Sequence, residues 1–131
     1  MQILDTNVLI RFLLRDDPVQ SPKAYQFIRS AAESGRSLAV PDVILTELFW
    51  ALATMGLQRQ EILKVVIPIL DNDVFRFEDH ERAAMAVGLW AEHKIDFADA
   101  YIAARYNTDK AEGVVSFDQD FKRLPVRWIQ P

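Results

Sequence analysis

The chain has 131 residues, half of them hydrophobic, with 4 glycines, 6 prolines, no cysteine and a formal net charge of −4. Such a length fits one domain with its own core, and the composition excludes disorder, low complexity, disulfides, a thiolate nucleophile and cysteine-bound zinc. No apolar run approaches the roughly 18 residues of a membrane helix, so a cytoplasmic protein is expected, and the acidic balance gives no bulk attraction to nucleic acid, whose phosphates ask for a basic face or for bound cations.

Gln2 to Leu4 reads as a short strand that delivers Asp5, and Thr6 to Leu14 follows with Val8, Leu9, Phe12 and Leu13 at helical spacing. In open α/β folds ligands sit outside the carboxyl ends of parallel strands, which places Asp5 well for chemistry; a helix N-cap is its plainer role. Asp16-Asp17-Pro18 breaks the helix. Ser21-Pro22 then supplies a cap and a first-turn proline for a second helix to about Ser34, with Ala24, Phe27, Ile28 and Ala31 on its packing face. Ser37 to Val40 makes a second strand, and Pro41 opens the helix Asp42 to Met55. That helix is apolar almost all round, and Glu47 is its only ionisable group after Asp42. The expectation is a buried carboxylate that needs a cation, a proton or an arginine such as Arg11 or Arg105.

Arg59 to Leu70 is a fourth helix, which Pro68 should bend or end, and the Met55 to Leu70 region carries enough apolar surface to serve a dimer interface or a partner. Val74 to Phe77 is a third strand, and Asp79 caps a helix to about Glu92 whose end histidines, His80 and His93, are assigned neither to metal nor to catalysis. The sixth helix, Asp96 to about Tyr106, opens with the segment I-D-F-A-D-A-Y-I-A-A. With Asp96 as N-cap, Asp99 falls in the first turn, so both carboxylates gather round the exposed N–H groups, as caps or as ligands. Gly113 to Phe117 is a fourth strand, followed by Asp118-Gln119-Asp120, in which Asp118 is the stronger ligand candidate and Asp120 is equally a turn residue. Arg127 to Ile129 closes the chain as an edge strand.

This alternation predicts an α/β fold: a short, mostly parallel central sheet of four to five strands with helices on both faces, in which acids far apart in sequence converge at strand ends. Two carboxylates about 5 Å apart repel by roughly 3 kcal/mol at an effective dielectric of 20, so a cluster of Asp5, Glu47, Asp96, Asp99 and Asp118 calls for divalent cations. Oxygen ligands without cysteine favour Mg²⁺ or Mn²⁺ over Zn²⁺, as one or two ions. Such a site activates water and stabilises the entering and leaving oxygens of a phosphodiester displacement. Thr6, Asn7 and Ser116 offer groups that orient a ligand carboxylate or a water.

Four segments carry a resemblance: I-L-D-T-N-V-L-I-R, Glu47 within P-D-V-I-L-T-E-L-F-W-A-L, D-F-A-D-A-Y-I-A-A, and V-V-S-F-D-Q-D-F. In this order, over essentially the whole chain, the sequence resembles the PIN-domain ribonucleases, and among them the VapC toxins of bacterial toxin–antitoxin pairs. The resemblance implies one PIN domain over residues 1–131 and a Mg²⁺- or Mn²⁺-dependent endoribonuclease. Asp5, Glu47 and Asp99 match the three core acids, Asp118 the usual fourth and Asp96 an extra one, while Ser116 stands where the family usually has threonine and keeps the hydroxyl. It further implies a homodimer and a VapB-like antitoxin that lays a peptide over the site. With RNA as substrate, Arg11 and Arg15 are candidates for phosphate contacts. Two other readings remain: an RNA-processing or structure-specific DNA nuclease of the same fold outside a toxin–antitoxin pair, and a non-catalytic module whose acids cap helices and pair with arginine.

Overall fold

Short strands and amphipathic helices alternate along the chain much as the hydrophobic spacing predicts. The computed structural model describes residues 1–131 as two compact units, Met1–Glu78 and Asp79–Pro131. In the first unit the order is β1 (Gln2–Ile3), α1 (Thr6–Leu14), α2 (Gln20–Glu33), β2 (Leu38–Val40), α3 (Asp42–Thr54), α4 (Arg59–Leu70) and β3 (Phe75–Phe77). The three strands pair in the order β1-β2-β3, all parallel, with Gln2 opposite Leu38 and Val40 opposite Phe77. Parallel neighbours need long crossovers, and each crossover here carries a pair of helices. The core of the unit is branched aliphatic: Leu9, Leu38, Val40, Leu45, Leu48, Leu52, Ile62 and Val66 are fully buried. Each contributes about 1.5–3 kcal/mol by leaving water, which fixes the faces that α1, α3 and α4 turn inward.

Helix α2 starts earlier than Ser21-Pro22 implies. The Asp17 carboxylate accepts hydrogen bonds from the N–H groups of Gln20 at 2.7 Å and Val19 at 2.9 Å, and these hold its carboxyl below the ordinary range. Ser21 is instead buried, its Oγ accepting the Asp17 N–H at 3.2 Å, and Pro22 sits in the first turn, where a missing N–H costs nothing. Pro68 lies in the last turn of α4, which ends two residues later at Leu70.

The second unit holds α5 (His80–Glu92), α6 (Phe97–Thr108), β4 (Val114–Val115), a 3-10 helix (Gln119–Arg123) and β5 (Trp128–Ile129). A four-residue connection, residues 93–96, makes α5 and α6 an antiparallel hairpin, and buried Ala83, Ala86, Ala100, Ala103 and Ala104 let the two backbones approach closely. Strands β4 and β5 pair in parallel, Val114 opposite Trp128. All five expected strands are therefore present and parallel, in ladders of three and two, and several are shorter than the apolar runs that mark them. No helix is long and apolar enough to cross a membrane.

Candidate active site

Three of the acids meet in the second unit. Asp96 is the N-cap of α6, and its carbonyl accepts the N–H groups of Asp99 at 3.1 Å and Ala100 at 3.2 Å, but its side chain makes no capping bond. Buried Ile95 and Phe97 on either side lock this join, leaving the Asp96 carboxylate exposed and Asp99 half-buried one turn on. The other wall follows β4. Ser116 Oγ accepts the Asp118 N–H at 2.9 Å, the Asp118 carboxylate accepts the Asp120 N–H at 2.9 Å, and the Trp128 indole donates to the Ser116 carbonyl at 2.9 Å. These bonds fix the turn into the 3-10 helix and bring carboxylate oxygens of Asp99, Asp118 and Asp120 within 4.8 Å of one another.

The electrostatics follow from that geometry. Burial, then Asp118, Asp96 and Asp120, push the Asp99 carboxyl above its ordinary value. Every cause acts against the ionised form, so a proton or a cation relieves it. The donor set suits a hard divalent ion: all ligand atoms are oxygens, and two oxygens on opposite sides of Mg²⁺ stand about 4.2 Å apart, close to the spacing available here.

Asp5 caps α1 by accepting the Thr6 N–H at 2.9 Å and is exposed, with Asn7 exposed beside it. Thr6 is buried, and its hydroxyl has no hydrogen-bond partner. Glu47 departs from expectation: it is exposed, not buried. Helix α3 turns Leu45, Leu48, Phe49 and Leu52 inward and leaves Val43, Glu47 and Trp50, spaced i, i+4 and i+7, on the outer face. The helix has more apolar residues than core positions, so its apolar character does not bury the acid, and water solvates Glu47. Neither suggested arginine serves it. Arg11 bonds Asp16 at 3.1 Å and Gln20 at 2.9 Å, and Arg105 bonds Asp109 at 2.7 Å and Tyr101 at 3.1 Å. Arg15 is exposed, its guanidinium 5.1 Å from the Tyr25 ring centroid. Asp5, Asn7, Arg11, Lys23 and Phe27 line a groove of about 500 Å³ between α1 and α2.

The PIN domain family profile matches residues 3–126. The chain belongs to the PIN domain family. This PIN chain is also 29% identical, over 133 residues, to a protein of Aquifex aeolicus (strain VF5) named VapC ribonuclease, a match covering 100% of the chain and 97% of that relative. Sequence reasoning left Asp120 equally a ligand and a turn residue, outside the acids it assigned to the site, and passed over Arg123, whose Nη2 lies 3.0 Å from Asp120 Oδ1. The available signal was the spacing D-x-D followed by arginine three residues later, which a 3-10 helix places on one edge.

Proposed function

We propose that this chain is a divalent-metal-dependent endoribonuclease, the VapC-type toxin of a type II toxin–antitoxin pair, acting as a single PIN domain in the cytoplasm. The observation that carries the reading is the group of Asp99, Asp118 and Asp120 carboxylates within 4.8 Å of one another, in a PIN chain that aligns end to end with a VapC ribonuclease. On this reading Asp99, Asp118 and Asp96, joined by Asp120 of the same cluster, hold Mg²⁺ or Mn²⁺ as one or two ions, and Asp5 and Glu47 complete the set of acidic ligands. A hard divalent cation bound there would promote ionisation of water and stabilise charge developing on the phosphodiester.

The chain's own residues supply the rest. Asp96 and Asp99 stand at the N-cap and in the first turn of α6, so the start of the helix offers both carboxylates to a cation. Ser116 holds the Asp118 N–H and with it the direction of the carboxylate that follows. Asn7 and Thr6 flank Asp5 as positioning residues, and Arg11 and Arg15 contact RNA phosphates. A second copy of the chain and a VapB-like antitoxin complete the assembly, for which the exposed apolar residues Val43, Trp50, Met55 and Ile67 on α3, its C-terminal end and α4 offer surface.

RNA cleavage with and without Mn²⁺ tests the proposal on the parent, Asp5→Asn and Asp99→Asn. The parent should cleave only with metal, and each variant should lose on the order of 100-fold or more, the scale of removing several kcal/mol of charge stabilisation. Cleavage surviving in both variants overturns the assignment.

A further inference from the structure

We infer that Arg123 is a built-in counter-ion of the acid cluster, one that competes with the divalent cation for Asp120; the inference rests on the metal reading above. Arg123 ends the 3-10 helix that Asp118 caps. In a 3-10 turn residues three apart stand one above the other, and Arg123 Nη2 reaches Asp120 Oδ1 at 3.0 Å. The same nitrogen lies 3.4 Å from the carbonyl of Lys94, two residues before Asp96, so the guanidinium ties the 3-10 helix to the connection that opens α6. Asp120 thus faces two ways, toward Asp99 and Asp118 on one side and toward a fixed cation on the other.

Three carboxylates crowded together carry a charge of −3, and the guanidinium reduces it to −2. That lowers repulsion while the site waits for metal, and it weakens the field that draws a divalent ion in. Both partners of the pair are about half exposed, so water screens the effect to a modest size. Asp120 becomes a contested ligand, and Arg123 sets how much divalent cation is needed to claim it.

Calorimetric titration of the full chain with Mn²⁺ tests this. Arg123→Gln should bind Mn²⁺ roughly three- to tenfold tighter than the parent, and Arg123→Lys, which keeps the charge, should stay near the parent. Asp120→Asn should bind more weakly, and adding Arg123→Gln to it should tighten binding by less than the same change does alone, because the contested carboxylate is gone. A purely structural role for Arg123 predicts weaker or equal binding in Arg123→Gln. Either result overturns the inference, as does an Asp120→Asn protein that binds as well as the parent. A parent that binds no Mn²⁺ removes the metal reading and the inference together; a parent that binds, with a variant that binds no tighter, removes the inference alone.

Discussion

The two ends of α6 treat an aspartate in opposite ways. Asp109, at the C-terminal cap, sits where the partial negative charge of the helix disfavours a carboxylate. It is compensated twice, by Arg105 at 2.7 Å and by buried Arg82 at 3.7 Å. Asp99, in the first turn, has the helix in its favour, yet burial and three neighbouring acids act against its charge. Where the fold needs an acid, it brings arginine to it. Where acids stand crowded with a single exposed arginine among them, the missing positive charge is to be sought outside the chain.

The largest stability effect is expected at the compensated end. Arg82 is 10% exposed in its side chain, and Asp109 is one of two carboxylates, with Asp79, that it meets at 3.7 Å. Asp109→Ala should cost about 1–3 kcal/mol, because part of a buried cation's compensation is lost, and should leave Mn²⁺ affinity nearly unchanged. Denaturant melts would show it. A variant as stable as the parent would mean that the arginines around Asp109 compensate nothing, and the contrast between the helix ends would collapse.

A smaller change of opposite sign is expected at the other end. In metal-free protein near neutral pH, Asp99→Asn should raise the melting temperature by about 1–4 °C, since it removes a carboxylate whose ionised form burial and like charge both disfavour. The pH dependence follows from the sign of the shift. The folded-state value lies above the ordinary 3.8, so ionised Asp99 destabilises the fold fully above that raised value. The cost declines as pH falls through the raised value toward 3.8, where the folded protein takes up the proton first. The advantage of Asp99→Asn over the parent should therefore shrink on acidification. An advantage that does not change with pH would show that burial and crowding leave the Asp99 carboxyl unshifted.

The sequence made the elements legible because their signals are local. Strand ends, proline breaks and the 3.6-residue spacing placed all six helices and five strands, and Asp5, Asp79 and Asp96 stand at the N-caps read for them. What failed depended on facts that spacing does not contain. Val19 and not Ser21 stands at the N-cap of α2, because the Asp17 carboxylate accepts the N–H groups of Val19 and Gln20 and starts the helix before Ser21. Glu47 was misplaced because an apolar surround in sequence says nothing about which residues a small core has room for, and α3 spends Val43 and Trp50 on solvent. Asp120 and Arg123 needed the 3-10 turn itself, since five residues carry no periodic signal strong enough to show which side chains share an edge.

The smallest effect on stability is expected at Glu47, and it sharpens the contrast with Asp99. An exposed carboxylate with water around it has no desolvation to relieve, so Glu47→Gln should change the unfolding free energy of metal-free protein by less than about 0.5 kcal/mol. The two acids then part company only when metal is added. Mn²⁺ stabilises the native state in proportion to its affinity for it, and a ligand that takes part in binding lowers that gain when its charge is removed. The Mn²⁺-induced rise in melting temperature should be smaller in Glu47→Gln than in the parent, and smaller still in Asp99→Asn, whose burial gives its charge more weight. An unchanged rise in Glu47→Gln would take this residue out of the metal set and leave the carboxylates of the second unit to hold the ion.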